Sequence, residues 1–199
     1  MRVLLVRHGQ AVDGSSELPD SDRFLTAKGR HVTRDVARVL AEHDVKPTRI
    51  VTSPLVRAVQ TAEIIAESHA FDGTITVWRA LAPDGTSVLK ALRPLDDATE
   101  QDTVALVGHE PLMRAMAAQL LGLSMFPGFK KSAVCLIKRK AGGTGAFRWM
   151  LVPRNMTLID TLDDLERRIA QRLAPMRRAT PSDAPTAAEL APANAFAAA

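Results

Sequence analysis

A three-layer α/β/α sandwich, with a mostly parallel central sheet and an antiparallel hairpin at one edge, is the α/β fold class this sequence predicts. Three observations predict it. Short apolar runs alternate with amphipathic stretches through the first 121 residues, two later apolar runs flank a glycine-rich link, and 199 residues suit a single core. Apolar side chains at 46% and charged ones at 24% are globular proportions, not those of a disordered or collagen-like chain.

The run Val3-Leu4-Leu5-Val6 reads as a buried strand that stops at Arg7-His8-Gly9. After a polar loop, Thr26 is placed to cap a helix whose apolar face is Val32, Val36, Val39 and Leu40 and which ends near His43. A second strand over 49 to 52 runs into Ser53-Pro54. Serine is a good N-cap, and proline suits a first helical position because its missing N–H has no partner there anyway, so a helix is expected over 54 to 68. A third strand at 75 to 78 leads through Leu81-Ala82-Pro83-Asp84-Gly85 to a short helix around 86 to 92. Thr103-Val104-Ala105-Leu106-Val107 is the clearest buried strand, and Gly108-His109-Glu110-Pro111 leads from it into a helix through Leu121. Strands at about 132 to 139 and 146 to 152 flank Ala141-Gly142-Gly143-Thr144-Gly145. That link is short enough for a hairpin and, with no helix or Lys-Ser/Thr pair after it, reads as a plain turn. A last helix is expected over 157 to 173, with Leu158, Leu162, Leu165, Ile169 and Leu173 in one stripe packed on the domain. Beyond Pro175 large apolar groups are few, too few to offset the entropy of ordering. The expected division is a domain over 1–155, a C-terminal helix over 156–174 and a disordered Ala/Pro-rich tail over 175–199.

Charge and composition exclude several classes of partner. The 26 Lys and Arg against 22 Asp and Glu leave a formal +4, and with no Tyr and only 4% aromatics there is no basic stacking platform for nucleic acid. No stretch reaches the roughly 18 to 20 apolar residues of a membrane span, and Arg2 and Arg7 interrupt the N-terminus too early for a signal peptide. A cytoplasmic monomer is the expectation. The single cysteine, Cys135, lies in an apolar run and reads as a small hydrophobe. No His/Cys/carboxylate cluster has ligand spacing, so neither metal nor cofactor is expected.

The chemistry-bearing residues share a position. Arg7-His8, Arg57 and His109 each follow the C-terminal end of an expected strand, and in an open parallel sheet those ends line one crevice. Arg57 and His109 also fall near helix N-termini, with their free N–H groups. Two arginines, two histidines and two helix ends make a pocket for an oxyanion of about two negative charges, since the arginine fork matches phosphate oxygens. An arginine at a helix N-terminus opposes the helix dipole, and a bound anion would compensate for it. His31, His43 and His69, at or near helix ends without such partners, read as surface residues.

Four segments carry a family resemblance: Leu5-Val6-Arg7-His8-Gly9-Gln10-Ala11, Arg23-Phe24-Leu25-Thr26-Ala27-Lys28-Gly29, Ser53-Pro54-Leu55-Val56-Arg57-Ala58-Val59-Gln60-Thr61-Ala62 and Val107-Gly108-His109-Glu110-Pro111. In this order the chain resembles the histidine phosphatase superfamily, with its phosphoglycerate mutase-like fold, and within it the small SixA-type phosphohistidine phosphatases. The resemblance implies a covalent phosphohistidine on His8 and a phosphate pocket of Arg7, Arg57 and His109. Neutral His8 would attack phosphorus while Arg7, Arg57 and a protonated His109 hold the equatorial oxygens. Gly9 would let the chain pass close to the anion, and a backbone carbonyl would fix the tautomer of His8. Arg23 would line the rim, as the matching arginine does in the SixA-type pattern. For the general acid Glu110 and Asp84 are both candidates, the first from the acid phosphatase pattern, the second from the mutase segment that there carries Glu. A phosphoramidate has less need of either, because its leaving imidazole is readily protonated. Residues 10 to 24 and 70 to 100 are short beside the insertions that roof the site in mutase and phytase relatives, which implies an open site and a phosphohistidine-containing protein as partner. A phosphatase for small phosphate esters is the alternative enzyme. A non-catalytic docking module using Arg167, Arg168, Arg172, Arg177 and Arg178 is the alternative of a different class.

Overall fold

Every residue from Val3 to Val6 is at most 1% exposed, because the strand that carries them is covered on both faces. The computed structural model describes residues 1–84, 87–140 and 143–173. Their strands are β1 (Arg2–Arg7), β2 (Arg49–Thr52), β3 (Ile75–Val77), β4 (Thr103–Gly108), β5 (Val134–Lys138), β6 (Ala146–Val152) and β7 (Thr157–Ile159), in one sheet of order β3-β2-β4-β1-β5-β6-β7. The first four are parallel to one another, and β5, β6 and β7 continue the sheet antiparallel. Alternation along the central strands divides the core. Leu4, Val6, Ala105 and Val107 face α1 (Ala27–Glu42) and α2 (Val56–Ser68), meeting Val36, Leu40, Ala58, Ala62 and Ile65. Val3, Leu5, Val104 and Leu106 face α3 (Val88–Leu92) and α4 (Leu112–Leu121), and Leu165 of α5 (Leu162–Leu173) joins that side. This is the expected three-layer sandwich. Cys135 is buried within it, and burial pushes its thiol up beyond the ordinary range.

Three elements depart from expectation for identifiable reasons. Helix α2 starts at Val56 with Leu55 as N-cap, two residues later than Ser53-Pro54 suggested. Ser53, just beyond β2, is still tied to β4: its N–H donates to Val107 O at 2.9 Å. Second, residues 157 to 159 are strand, not helix. They pair with Met150, Leu151 and Val152 after a turn in which Met156 has φ 49°, so the edge hairpin grows to three antiparallel strands and Leu158 packs in the α1–α2 layer, opposite Leu165. Third, His69 is buried at 8% exposure and its Nδ1 lies 2.8 Å from Ile65 O, whereas His31 and His43 are exposed. The side chains of Ile169 and Leu173, the arginines at 168, 172, 177 and 178, and the expected tail lie outside what the structure describes. So do Ala141 and Gly142 of the glycine link, though Gly145 N–H donates to Leu120 O at 2.7 Å.

The start of α1 braces the chain leaving β1. Thr26 caps the helix by accepting from Gly29 N–H at 2.9 Å, and it donates back to Gln10 O. A Cβ on Gly29 would lie 2.0 Å from that same carbonyl oxygen. Gly29→Ala is therefore expected to destabilise the fold by about 1–3 kcal/mol through overpacking, read as a lowered urea midpoint. An unchanged midpoint would show that the Gln10 carbonyl yields without cost.

Candidate active site

Parallel register carries the two histidines to one place. Arg7 on β1 pairs with Gly108 on β4, so His8 and His109 leave adjacent strand ends together, and His8 N–H donates to Gly108 O at 3.0 Å. Their ring centroids are 4.8 Å apart with the planes tilted by 52°. Ser53, one residue beyond β2, leads into α2, whose first turn carries Arg57, buried at 4% exposure. The N–H of Gly9 donates to Thr61 Oγ1 at 3.1 Å, and that hydroxyl donates to Arg57 O at 2.7 Å, tying the β1 exit to α2.

The two rings differ in what their nitrogens do. His8 Nδ1 is 2.7 Å from Gly9 O; a carbonyl only accepts, so Nδ1 carries the proton and Nε2 keeps its lone pair. Burial first, then Arg57, Arg7 and Lys131, lower His8 to about 4 against the pull of the Gly9 carbonyl. His109 Nε2 lies 2.8 Å from Ser53 Oγ, while its Nδ1 is buried with no partner among the described residues. Burial, then His8 and the two arginines, bring His109 to about 3, with Asp20 opposing. The protein's own groups thus favour the neutral ring of His109. Its protonation requires a negative charge brought in beside it.

Both arginines are fixed from behind. Arg7 Nη1 donates to Phe129 O at 2.6 Å and its buried Nε has no partner among the described residues; burial lowers its pKa, and Glu110 works the other way. Arg57 donates through Nη1 to Asp20 O and through Nη2 to Asp20 Oδ2, the latter at 2.9 Å. The carboxylate of Asp20 thereby supplies the compensation that a cation in the first turn of a helix calls for.

Residues 3–82 match the model of the Histidine phosphatase superfamily (branch 1). Phosphohistidine phosphatase SixA of Escherichia coli (strain K12) is 30% identical over 164 residues, which span 79% of this chain and 98% of that protein. The chain belongs to the histidine phosphatase superfamily. The structure of the protein histidine phosphatase SixA complexed with tungstate superposes with a TM-score of 0.73 at 30% identity, covering 79% of this chain and all of that one. A phosphoserine phosphatase from Entamoeba histolytica shares the fold at 15% identity and a TM-score of 0.58, covering 78% of this chain and 99% of its own. This chain is accordingly a phosphatase with a catalytic histidine, of the SixA type. Among its described residues no helix is long and apolar enough to cross a membrane.

In this phosphatase the remaining sequence candidates take other positions. Gly9 offers no donor to an anion: its N–H is given to Thr61, its carbonyl to His8, and a Cβ there would meet Thr33 Oγ1 at 2.7 Å. The missing side chain makes room for packing against Thr33, Leu25 and Ser132. Glu110 accepts from Phe129 N–H at 2.9 Å and faces Arg114 at 3.6 Å, so both contacts use its carboxylate as acceptor and neither prepares a proton donor. Asp84 is exposed and paired with Arg79, which holds it below the ordinary carboxylate range. Arg23 donates to Val12 O at 2.7 Å and to Asp20 Oδ1 at 2.8 Å. Sequence reasoning missed Asp20, Thr61 and the partnership of Ser53 with His109. Thr61 and Ser53 fall inside a quoted family segment, whereas Asp20 precedes one and carries no local signal.

Proposed function

We propose that this chain is a phosphohistidine phosphatase that removes phosphate from histidine on a partner protein through a covalent phosphohistidine on His8. The observation that carries this reading is the arrangement of His8: Nδ1–H on Gly9 O, Nε2 with its lone pair, and Arg7, Arg57 and His109 around it. Nε2 attacks phosphorus in line, and the bond from phosphorus to the substrate ring breaks. Protonated at its far nitrogen, that ring departs as neutral imidazole, so no strong acid from the protein is required. Such a route fits a site whose nearby carboxylates, Glu110 and Asp20, are occupied as acceptors. Arg7 and Arg57 hold the equatorial oxygens, and each charge-assisted hydrogen bond contributes about 1.5–3 kcal/mol. The dianion also draws a proton onto His109, which then joins them. In the intermediate the Nδ1–H on Gly9 O leaves His8 an N-phosphoimidazolium, activated toward water. Water attacks phosphorus, the bond to Nε2 breaks, and dihydrogen phosphate leaves His8 neutral with Nδ1–H in place.

The similarity to SixA supports a phosphohistidine protein as substrate, as do the short segments around the pocket: the chain between β1 and α1 holds only one 3-10 turn, Asp20–Asp22. Turnover of a phosphohistidine peptide is expected to exceed that of sugar phosphates by at least about 100-fold in kcat/KM, because the phosphoester needs a proton donor for its alkoxide. Equal turnover, or a preference for the ester, would move the assignment to small phosphate esters.

A further inference from the structure

Asp20 stands between two arginines that differ in their surroundings. One carboxylate oxygen and the main-chain carbonyl of Asp20 accept from Arg57, whose side chain is 5% exposed; the other carboxylate oxygen accepts from Arg23, 24% exposed. Arg23 is held in turn by Val12 O at 2.7 Å, so the three side chains form a chain Arg23–Asp20–Arg57 anchored at its outer end. Asp20 takes two of the five N–H groups of Arg57 and leaves the rest for the anion.

We propose that Arg23 and Asp20 are a positioning pair for Arg57, with Arg23 serving the phosphoryl site through Asp20 and not by touching phosphate. Two physical requirements lead there. A long arginine side chain at a helix start has many rotamers and an unfavourable dipole, and a double clamp on its terminal nitrogens fixes it. The clamp is itself an anion beside a site for an anion, and its charge would offset that of Arg57. Arg23 cancels the carboxylate, so the triad keeps a net positive charge for phosphate. The inference rests on the phosphatase site described above.

The test is a double-mutant cycle on the whole chain, with Arg23→Ala, Asp20→Ala, their combination and Asp20→Asn. The measurements are kcat and KM on a phosphohistidine peptide and the Kd for inorganic phosphate by calorimetry. Asp20→Ala is expected to lower kcat by about 10-fold with a smaller change in KM, since Arg57 must be in place on the transition-state oxygens. Arg23→Ala is expected to cost a similar factor alone but less than about 2-fold in the Asp20→Ala background, the mark of residues acting in series. Asp20→Asn, whose amide oxygen still accepts from Arg57, should recover part of the kcat loss. Melting temperatures matching the parent would show that none of this is unfolding. Equal cost of Arg23→Ala in both backgrounds would make Arg23 a direct phosphate ligand and overturn the pair, as would full activity of Asp20→Ala. A parent protein that neither binds phosphate nor turns over the peptide would overturn the site reading itself, and the pair with it.

Discussion

Replacing His8 with alanine is expected to lower phosphate release by at least about 1,000-fold, because the covalent route disappears with the nucleophile. Phosphate binding should survive within about 10-fold, since Arg7 and Arg57 remain as charge-assisted donors. The two histidines are distinguishable in advance. His109 has Nε2 engaged with Ser53 Oγ and Nδ1 buried, whereas His8 has its Nδ1 on Gly9 O, which leaves Nε2 as the nucleophilic nitrogen. Brief incubation with a radiolabelled phosphohistidine protein should therefore leave an acid-labile label on the parent enzyme, a weaker one on His109→Ala, and none on His8→Ala. A label stable to acid, on Ser or Thr, would reject the chemistry, and unchanged phosphate release by the His8 variant would remove it from the mechanism.

That convergence was legible because one physical rule governs it: parallel strands put their C-terminal ends at a common edge, and Arg7-His8, Arg57 and His109 each follow such an end. The central strands were legible for a related reason, as burial on both faces leaves unbroken apolar runs at Val3–Val6 and Val104–Val107. Where long-range pairing overrode local chemistry, sequence reading failed. Ser53-Pro54 has the right composition for a helix start, but a hydrogen bond to Val107 ties Ser53 to β4 and α2 begins at Val56. Leu158, Leu162 and Leu165 have helical spacing, yet Leu158 lies on an edge strand and packs in the α1–α2 layer, whereas Leu162 and Leu165 lie on a helix and pack in the opposite layer. Asp20 was invisible because a loop carboxylate normally reads as solvated, and its partner Arg57 lies 37 residues along the chain. His69 looked like a surface residue at a helix end, but its ring turns inward and bonds Ile65 O.

Acid is expected to weaken this fold well above the carboxylate range, and a bound dianion to oppose the effect. His8 and His109 fall from 6.5 to about 4 and about 3, so between those values and 6.5 the unfolded chain binds protons that the folded chain refuses. The stability tied to their neutral forms is complete above pH 6.5 and is lost as pH falls toward 4. At roughly 1.4 kcal/mol per pH unit for each ring, the pair contributes up to about 4 kcal/mol between pH 7.5 and 5, measurable by urea denaturation. The four carboxylates held below their ordinary range act at lower pH. Asp20, Asp84, Asp97 and Asp102 are held below 3.8, and whatever stability they add persists until the pH drops beneath that value. A variant with His8→Asn and His109→Asn should therefore show a flatter profile from pH 7.5 to 5. Sulfate, a dianion across the whole range, reverses the Coulomb part of both shifts when it binds between Arg7 and Arg57, so its affinity should rise as pH falls from 7 to 5, with proton uptake visible by calorimetry in buffers of different ionisation enthalpy. Equal acid sensitivity of parent and double variant, or sulfate binding that weakens toward pH 5, would mean that the buried imidazoles are not coupled to the anion at all.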